Sequence, residues 1–323
     1  MKKCAALLIA LLLTLAVAPA GEKSYYVGVS MPSATHGWMG NANWWANRAK
    51  EDWAKKAPNV EIELKFSGTV TQQVADIEDL LVKGIDALVV FPHDTSVTNI
   101  VERAYNDGVY TVVLDRGVSK EGVYDIWLTN DDEYYTLKGM EWLCKQLNYQ
   151  GDVILITGTP SPIDTVRTAS IKSVADKYPG IRILDQQPGD WNLQKSLSVM
   201  ENFLQKYPKI DAVYTADDDM MLGALQAFEE SGRDDVKYFL GGGCLKKVIE
   251  WIMNDSHPLV KADSTYPNSV VAAGISYAVL GVQGKKLNDD IYQVKAMPRR
   301  IINPSELVTR ENASEFYIPD APF

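Results

Sequence analysis

Apart from one stretch at its start, this chain has no apolar run of membrane-spanning length, and its cysteines and histidines number three each. The stretch, Ala5 to Val17, falls short of the roughly 20 residues that a bilayer requires. It follows Lys2 and Lys3 and ends in Ala18-Pro19-Ala20, a small-x-small terminus. That order reads as a secretory signal peptide over residues 1–20, cleaved after Ala20, and places the mature protein in the periplasm. Cys4 precedes the apolar run instead of following it, which argues against a lipid anchor. Only Cys144 and Cys244 remain after cleavage, too few for a disulfide framework. Cys144 sits in the helical pattern GMEWLCKQL, where a buried cysteine acts as a small apolar residue, and two free thiols are expected. No histidine or cysteine spacing suggests a metal site.

Positive charge is also scarce. Losing Lys2 and Lys3 with the leader takes lysine plus arginine from 32 to 30 against 42 acids, and formal charge from −10 to −12. Such a balance argues against nucleic acid and anionic membrane surfaces as partners. There is no phosphate-binding P-loop, no Gly-rich dinucleotide fingerprint, no nucleophile elbow and no low-complexity tract. No cofactor is expected.

What the chain does contain is an alternation of strands and helices. About 300 mature residues exceed the usual single core, so two domains are expected. The first half opens with a strand at Tyr26 to Ser30, a Trp-rich helix from about Gly40 to Lys56 and a strand at Val60 to Phe66. The all-apolar run Ala87 to Phe91 reads as a strand buried on both faces, the mark of a parallel sheet. A helical pattern from Val97 to Asn106 leads to the strand Thr111 to Leu114, which ends in Asp115-Arg116. The second half opens the same way, with a strand at Asp152 to Thr157, a helix from about Val166 to Tyr178 and a strand at Ile181 to Gln186. QKSLSVMENFLQKYP is an amphipathic helix, IDAVYTADD a strand ending in acids, and MMLGALQAFEESG a helix closed by Gly232. The expected fold is α/β, two doubly wound parallel-sheet lobes.

In such sheets ligands bind outside the carboxyl ends of the strands, and a cleft between two lobes is a favoured place for a small molecule. The candidates on those loops are Ser33, Thr35, His36, Trp38, Asp115, Arg116, Asp164, Arg167, Trp191, Asp217 and Thr265. Planar, two-ended polar groups of this kind match sugar hydroxyls, and an aromatic ring matches the aliphatic face of a sugar. Trp44, Trp45 and Trp53 lie in a helical pattern and read as packing, as does Trp127. His93 reads as structural. Of the three acids in DDDMM, Asp218 or Asp219 is expected to cap the following helix, leaving Asp217 for the site.

DLLVKGIDALVVFPHDTSVTNIVERAYNDGVYTVVLDR and GDWNLQKSLSVMENFLQKYPKIDAVYTADDDMMLGALQAFEESG resemble the exported sugar-binding proteins of ABC transporters, particularly those like ribose-binding protein. The likeness covers essentially the whole mature chain. It implies the periplasmic binding protein type 1 fold with three crossings, near residues 128, 265 and 297. The lobes would then be 21–128 plus 266–297 and 129–265 plus 298–323. It further implies that Asp115, Arg116 and Arg167 hydrogen-bond sugar hydroxyls and that Trp191 stacks on the ring. The chain departs from the ribose-binding pattern in having Asp217 where an Asn is usual, Gly242-Gly243-Cys244 in place of an aromatic-Asp pair and Thr265 in place of a Gln. SMPSATHGWMG looks more like the galactofuranose-binding relatives, with Met39 replacing their Arg.

The function implied is a monomeric protein that captures a monosaccharide or sugar-like polyol and delivers it to a membrane permease, and not an enzyme. The alternatives are a receptor for an autoinducer-2-type signal and a glycosidase built on carboxylates such as Asp115, Asp164 and Asp217.

Overall fold

The computed structural model describes residues 23–284 and 299–323. The leader expected over 1–20 and the crossing expected near 297 lie outside those residues. In chain order the first half runs β1 (Tyr25–Pro32), α1 (Gly37–Lys56), β2 (Val60–Ser67), α2 (Val70–Val82), β3 (Ala87–Val90), α3 (Thr98–Asn106), β4 (Tyr110–Leu114) and β5 (Ile126–Asn130). The second half runs α4 (Asp132–Gln146), β6 (Gly151–Thr157), α5 (Pro162–Ala175), β7 (Ile181–Pro188), α6 (Leu193–Lys206), β8 (Ala212–Thr215), α7 (Asp218–Ser231), β9 (Tyr238–Leu240) and α8 (Lys246–Asn254). β10 (Ala262–Ser264), α9 (Val270–Val282), β11 (Arg300–Asn303), β12 (Leu307–Thr309) and α10 (Ala313–Phe316) complete it.

Two parallel sheets result, in the strand orders β11-β5-β4-β3-β1-β2 and β7-β6-β8-β9. Alternation along each strand distributes side chains to both faces. In the first sheet Val27, Val29, Ala87, Val89, Val112 and Leu114 pack under α1 and α9, against Ala42, Ala46, Ile275 and Ala278. Leu88, Val90 and Val113 point the other way, onto Ile77, Leu80, Ile100 and Val101 of α2 and α3. In the second sheet Ile154, Ile156 and Val213 meet α6, α7 and α8, while Val153, Leu155 and Tyr214 meet α4 and α5. This two-sided burial is why the strands read as unbroken apolar runs. The expected α/β fold of two doubly wound lobes is the one found.

Side-chain caps start most of the helices that leave the cleft end of the sheets. Thr69, Asp131, Ser161, Asn192 and Asp217 each accept a backbone N–H in the first turn of the helix that follows. α7 stops at Gly232, whose φ of 68° supplies the left-handed turn that lets the chain leave the helix.

The lobe boundaries differ from the sequence reading. Residues 298–323 were expected wholly in the second lobe, yet β11 lies parallel to β5, from Arg300 opposite Trp127 to Asn303 opposite Asn130. Residues 129, 130 and 300–303 therefore belong to the first sheet. β11 covers the backbone edge that β5 would otherwise present, and its four residues are too few and too exposed to show as a strand in sequence. The chain next enters β12, which pairs antiparallel with β10. The crossing segments are laced together: Asp131 N–H donates to the Asn303 carbonyl (3.0 Å), and the Ser305 hydroxyl to the Asp131 carbonyl (3.1 Å). Among the described residues no helix is long and apolar enough to cross a membrane.

Ile77 is fully buried between α2 and the sheet. Truncating it, Ile77→Ala, is expected to cost about 2–5 kcal/mol. The check is the urea midpoint of the first lobe followed by far-UV circular dichroism, and an unchanged midpoint would contradict this packing.

Candidate functional site

The carboxyl ends of both sheets converge on one cavity of about 520 Å³. His36 and Trp38 reach it from the start of α1, Phe91 and His93 from the end of β3, and Asp115 and Arg116 from the end of β4. The opposite wall is formed by Arg167 of α5, Trp191 after β7, Asp217 after β8 and Gly242-Gly243 after β9. Tyr135 of α4 and Tyr266, on the crossing after β10, close the floor.

Asp115 has a φ of 54°, a left-handed conformation that a non-glycine residue holds only under external constraint. Three bonds supply it. Its N–H donates to the Leu128 carbonyl (2.9 Å), its carbonyl accepts from Trp127 Nε1 (2.9 Å), and its carboxylate accepts from the Tyr266 hydroxyl (2.8 Å). Burial pushes the Asp115 carboxyl above its ordinary range, and the nearby Arg116 guanidinium, 3.9 Å away, opposes that shift. Arg116 lies over the Phe91 ring and donates to the His93 carbonyl (2.5 Å). His93 is itself fixed by a 2.8 Å contact between Nε2 and the Ser67 carbonyl.

Arg167 is only 5 % exposed. Its guanidinium lies 4.4 Å from the Tyr135 ring centre, 4.3 Å from that of Tyr266 and 5.5 Å from that of Trp191. Nε donates to Asp132 (2.9 Å) and Nη1 to the Ala216 carbonyl (3.3 Å). Burial disfavours its charge, but the Asp132 carboxylate together with Tyr266 and Tyr135 outweighs that cost, so Arg167 stays cationic.

Trp191 has a φ of 57°, and its ring lies flush on Gly158, where a Cβ would stand 1.9 Å from the indole. Gly158 is therefore a requirement of the ring's seat. Trp38 packs edge-on to Phe91 and donates Nε1 to the Tyr266 carbonyl (2.7 Å), which leaves it 8 % exposed. Trp127 acts as a prop for the Asp115 carbonyl, and Trp44 and Trp45 pack on one another with Arg48 above them.

Four expected site residues lie elsewhere. Ser33 and Thr35 line a neighbouring cavity of about 320 Å³, which shares His36, His93, Arg116 and Trp191 with the main one. The Asp164 carboxylate turns back to accept the Gly158 N–H (2.7 Å), because the first turn of α5 presents it to that loop. Thr265 belongs to the crossing: its hydroxyl accepts the Glu306 N–H (2.7 Å), and Tyr266 beside it faces the cavity instead. The capping assignment among the three acids also changes. Asp217 caps α7, with Oδ1 accepting the Met220 N–H (2.8 Å), while its Oδ2 is buried without a partner in a residue that lines the cavity. Asp218 clamps the glycine loop by accepting the N–H groups of Gly242 (3.0 Å) and Leu245 (2.8 Å). Asp219 accepts the Gly37 N–H (2.9 Å) from the other lobe.

Sequence reasoning missed Tyr135, Tyr266, Phe91 and Asp132. Phe91 ends an apolar strand and reads as core; Tyr135 and Asp132 open a helix that shows no ligand signal in sequence. Cys144 and Cys244 are both free, and burial raises the Cys144 thiol to about 11.

The periplasmic binding protein domain matches residues 27–286. The chain belongs to that family. A ribose import binding protein of Bacillus subtilis is 29% identical over 215 residues, 66% of this chain and 68% of the relative. A xylitol-binding protein of Mycolicibacterium smegmatis is 27% identical over 185 residues, 56% of this chain and 53% of the relative. Among solved structures, an ABC transporter solute binding protein of Bacillus halodurans, with bound myo-inositol, superposes with a TM-score of 0.78 at 23% identity, covering 92% of this chain and 99% of that one. As a periplasmic binding protein, this chain is a solute-binding protein of the type 1 fold.

Asp217 carries an electrostatic cost that can be measured. Burial, with Asp219 nearby, raises its carboxyl to about 6, while His36, the Met220 N–H and Arg167 pull the other way. A carboxyl with a raised folded-state pKa leaves the folded form holding more protons between about pH 4 and 6, so stability falls as pH rises through that window. Asp217→Asn keeps the helix cap and removes the buried charge. In the ligand-free protein it is expected to stabilise by roughly 1–3 kcal/mol at pH 7, with the gain vanishing below about pH 4. Urea titrations of parent and variant at both pH values check this.

Proposed function

We propose that the protein is exported through its N-terminal signal peptide, binds a monosaccharide or sugar-like polyol in the interlobe cleft and hands it, as a monomer, to the permease of an ABC transporter. The carrying observation is the make-up of the 520 Å³ cavity, where Asp115, Arg116, Arg167 and Asp217 stand around the rings of Trp38, Tyr135, Trp191 and Tyr266. Charged two-ended groups satisfy hydroxyls that both donate and accept, and rings cover the C–H faces between them. A cavity of this size suits a single small ring. The ribose and xylitol named for the relatives point to the same class. A glycosidase reading is weaker, because Asp164 bonds Gly158 and Asp115 is tied to Tyr266. A thermal-shift screen of the mature protein against monosaccharides, polyols and autoinducer-2 tests the proposal, since a ligand at 100 times its Kd stabilises by about 2.7 kcal/mol. No shift with any sugar or polyol would overturn it, and a shift with autoinducer-2 alone would support the signal-receptor alternative.

Each lobe supplies only part of the site, so ligand is expected to hold the lobes closed. Small-angle scattering should give a smaller radius of gyration at saturation than without ligand. Arg116→Ala is expected to weaken binding by about 2–4 kcal/mol in a folded protein, through loss of a charge-assisted donor in a dry site. Trp191→Ala is expected to weaken it as well and Trp191→Phe to retain much of it; calorimetry that finds parent-like affinity in the alanine variant would remove Trp191 from the contact surface.

A further inference from the structure

The charged groups of the cleft differ in how they are paired inside the protein. The Arg167 guanidinium faces Asp132 at 2.9 Å, and the Arg116 guanidinium faces Asp115 at 3.9 Å. Asp217 Oδ2 and His36 Nδ1 are buried without a hydrogen-bond partner, and Asp217 as a whole is 7 % exposed. Asp219 completes the corner, with its Oδ2 3.8 Å from His36 Nδ1. One acceptor atom from each of His36, Asp217 and Asp219 lies within 4.8 Å of the other two. Two carboxylates face one imidazole, so negative charge is in excess at the corner, which asks for a positively charged donor.

The spacing separates the cations that could fill it. An ammonium nitrogen that donates at about 2.9 Å in tetrahedral directions holds its acceptors about 4.7 Å apart. A divalent ion at about 2.1 Å would draw tetrahedral ligands to about 3.4 Å of one another. His36 Nδ1 and Asp219 Oδ2 stand 3.8 Å apart, between the two spacings, and all three atoms lie within 4.8 Å of one another, so an ammonium fits once the acceptors move apart slightly.

We propose that the ligand is an amine-bearing ring, an amino sugar or an aminocyclitol, whose ammonium group is received by Asp217, Asp219 and His36. The inference rests on the sugar-or-polyol reading and narrows it. The remaining ring hydroxyls face Asp115, Arg116 and Arg167, and Trp191 covers a ring face. Asp217 then has its charge paired in the bound state only, which is the condition for a buried carboxylate to favour binding over a neutral amide in the same position.

The test is calorimetry of the mature protein with 2-amino-2-deoxyhexoses and mono-amino inositols, each measured beside its hydroxyl counterpart and its N-acetylated form. At least one amine is expected to bind about tenfold or more tightly than its hydroxyl counterpart, and its N-acetyl form to lose that advantage. Asp217→Asn is expected to bring the amine-to-hydroxyl ratio to near one, and Asp219→Asn to lower it, which keeps the test available should one variant fail to fold. Hydroxyl ligands that match or exceed the amines in every pair would overturn the inference and leave the sugar-binding reading intact. An amine preference unchanged in both variants would also overturn it. Binding of neither class would overturn both readings. Calcium, manganese and zinc chlorides are added alone in parallel; a thermal shift with any of them that disappears in Asp217→Asn would identify the corner as a divalent-cation site and overturn the ammonium.

Discussion

The constraint around which the cleft is arranged is the buried guanidinium of Arg167. A charge stripped of water needs a partner of opposite sign and saturated hydrogen bonds, or it forces the surrounding structure open. Asp132 and the Ala216 carbonyl provide these, and the rings of Tyr135 and Tyr266, edge to face with one another, both lie against the guanidinium. Those partners come from three places: Asp132 and Tyr135 from α4, Ala216 from the end of β8, Tyr266 from the crossing after β10. Satisfying one side chain thus fixes the relative placement of three segments. From Tyr266 the chain of contacts continues to Asp115 in the first lobe through a 2.8 Å hydrogen bond.

That continuation matters for motion. The bond from Tyr266 to Asp115, the bond from Gly37 to Asp219 and the bond from Trp38 to the Tyr266 carbonyl all join parts of the molecule on different sides of the cleft or its crossing. All three are short polar contacts, and the Trp38 ring adds packing against Phe91 and Tyr266. Polar closures of this kind cost little to break, since water can replace each bond, so the open and closed forms can lie within a few kcal/mol of one another. A ligand then needs only modest differential contact with the two walls to shift the balance.

The sheets were legible because two-sided burial writes itself as unbroken apolar runs, Ala87 to Phe91 and Asp152 to Thr157 among them. Asp115 and Arg116 were legible because a polar pair directly after such a run falls at a strand's carboxyl end. β11 was not, since an edge strand of four half-exposed residues carries no pattern. Asp164 and Thr265 were misplaced for a related reason: loop position says which side of the sheet a residue occupies, while the direction of its side chain is decided by local backbone donors, Gly158 in one case and Glu306 in the other. Tyr135 and Tyr266 were missed because aromatic residues at helix starts and crossings look like packing, and here they pack on a cation that itself lines the site.

The run Asp217-Asp218-Asp219 shows why three adjacent acids are tolerated in a cleft that is largely closed to water. The N-terminus of α7 presents unpaired N–H groups and the positive end of the helix dipole, which favours negative charge there. Asp217 uses one oxygen on that terminus, Asp218 turns both of its oxygens to the glycine loop, and Asp219 reaches the opposite lobe. Adjacent positions on a helix start diverge by about 100° each, so consecutive residues face different surroundings and take different tasks. Asp218 accepts two backbone N–H groups, yet burial and the neighbouring Asp263 hold its carboxyl well above the ordinary range, and Asp219 accepts the Gly37 N–H. Asp217 is answered on one oxygen only, and an amide in its place would meet the same cap without carrying a charge. A buried carboxylate there costs more in the ligand-free protein than an amide would, and a positively charged donor beside its second oxygen would offset that cost.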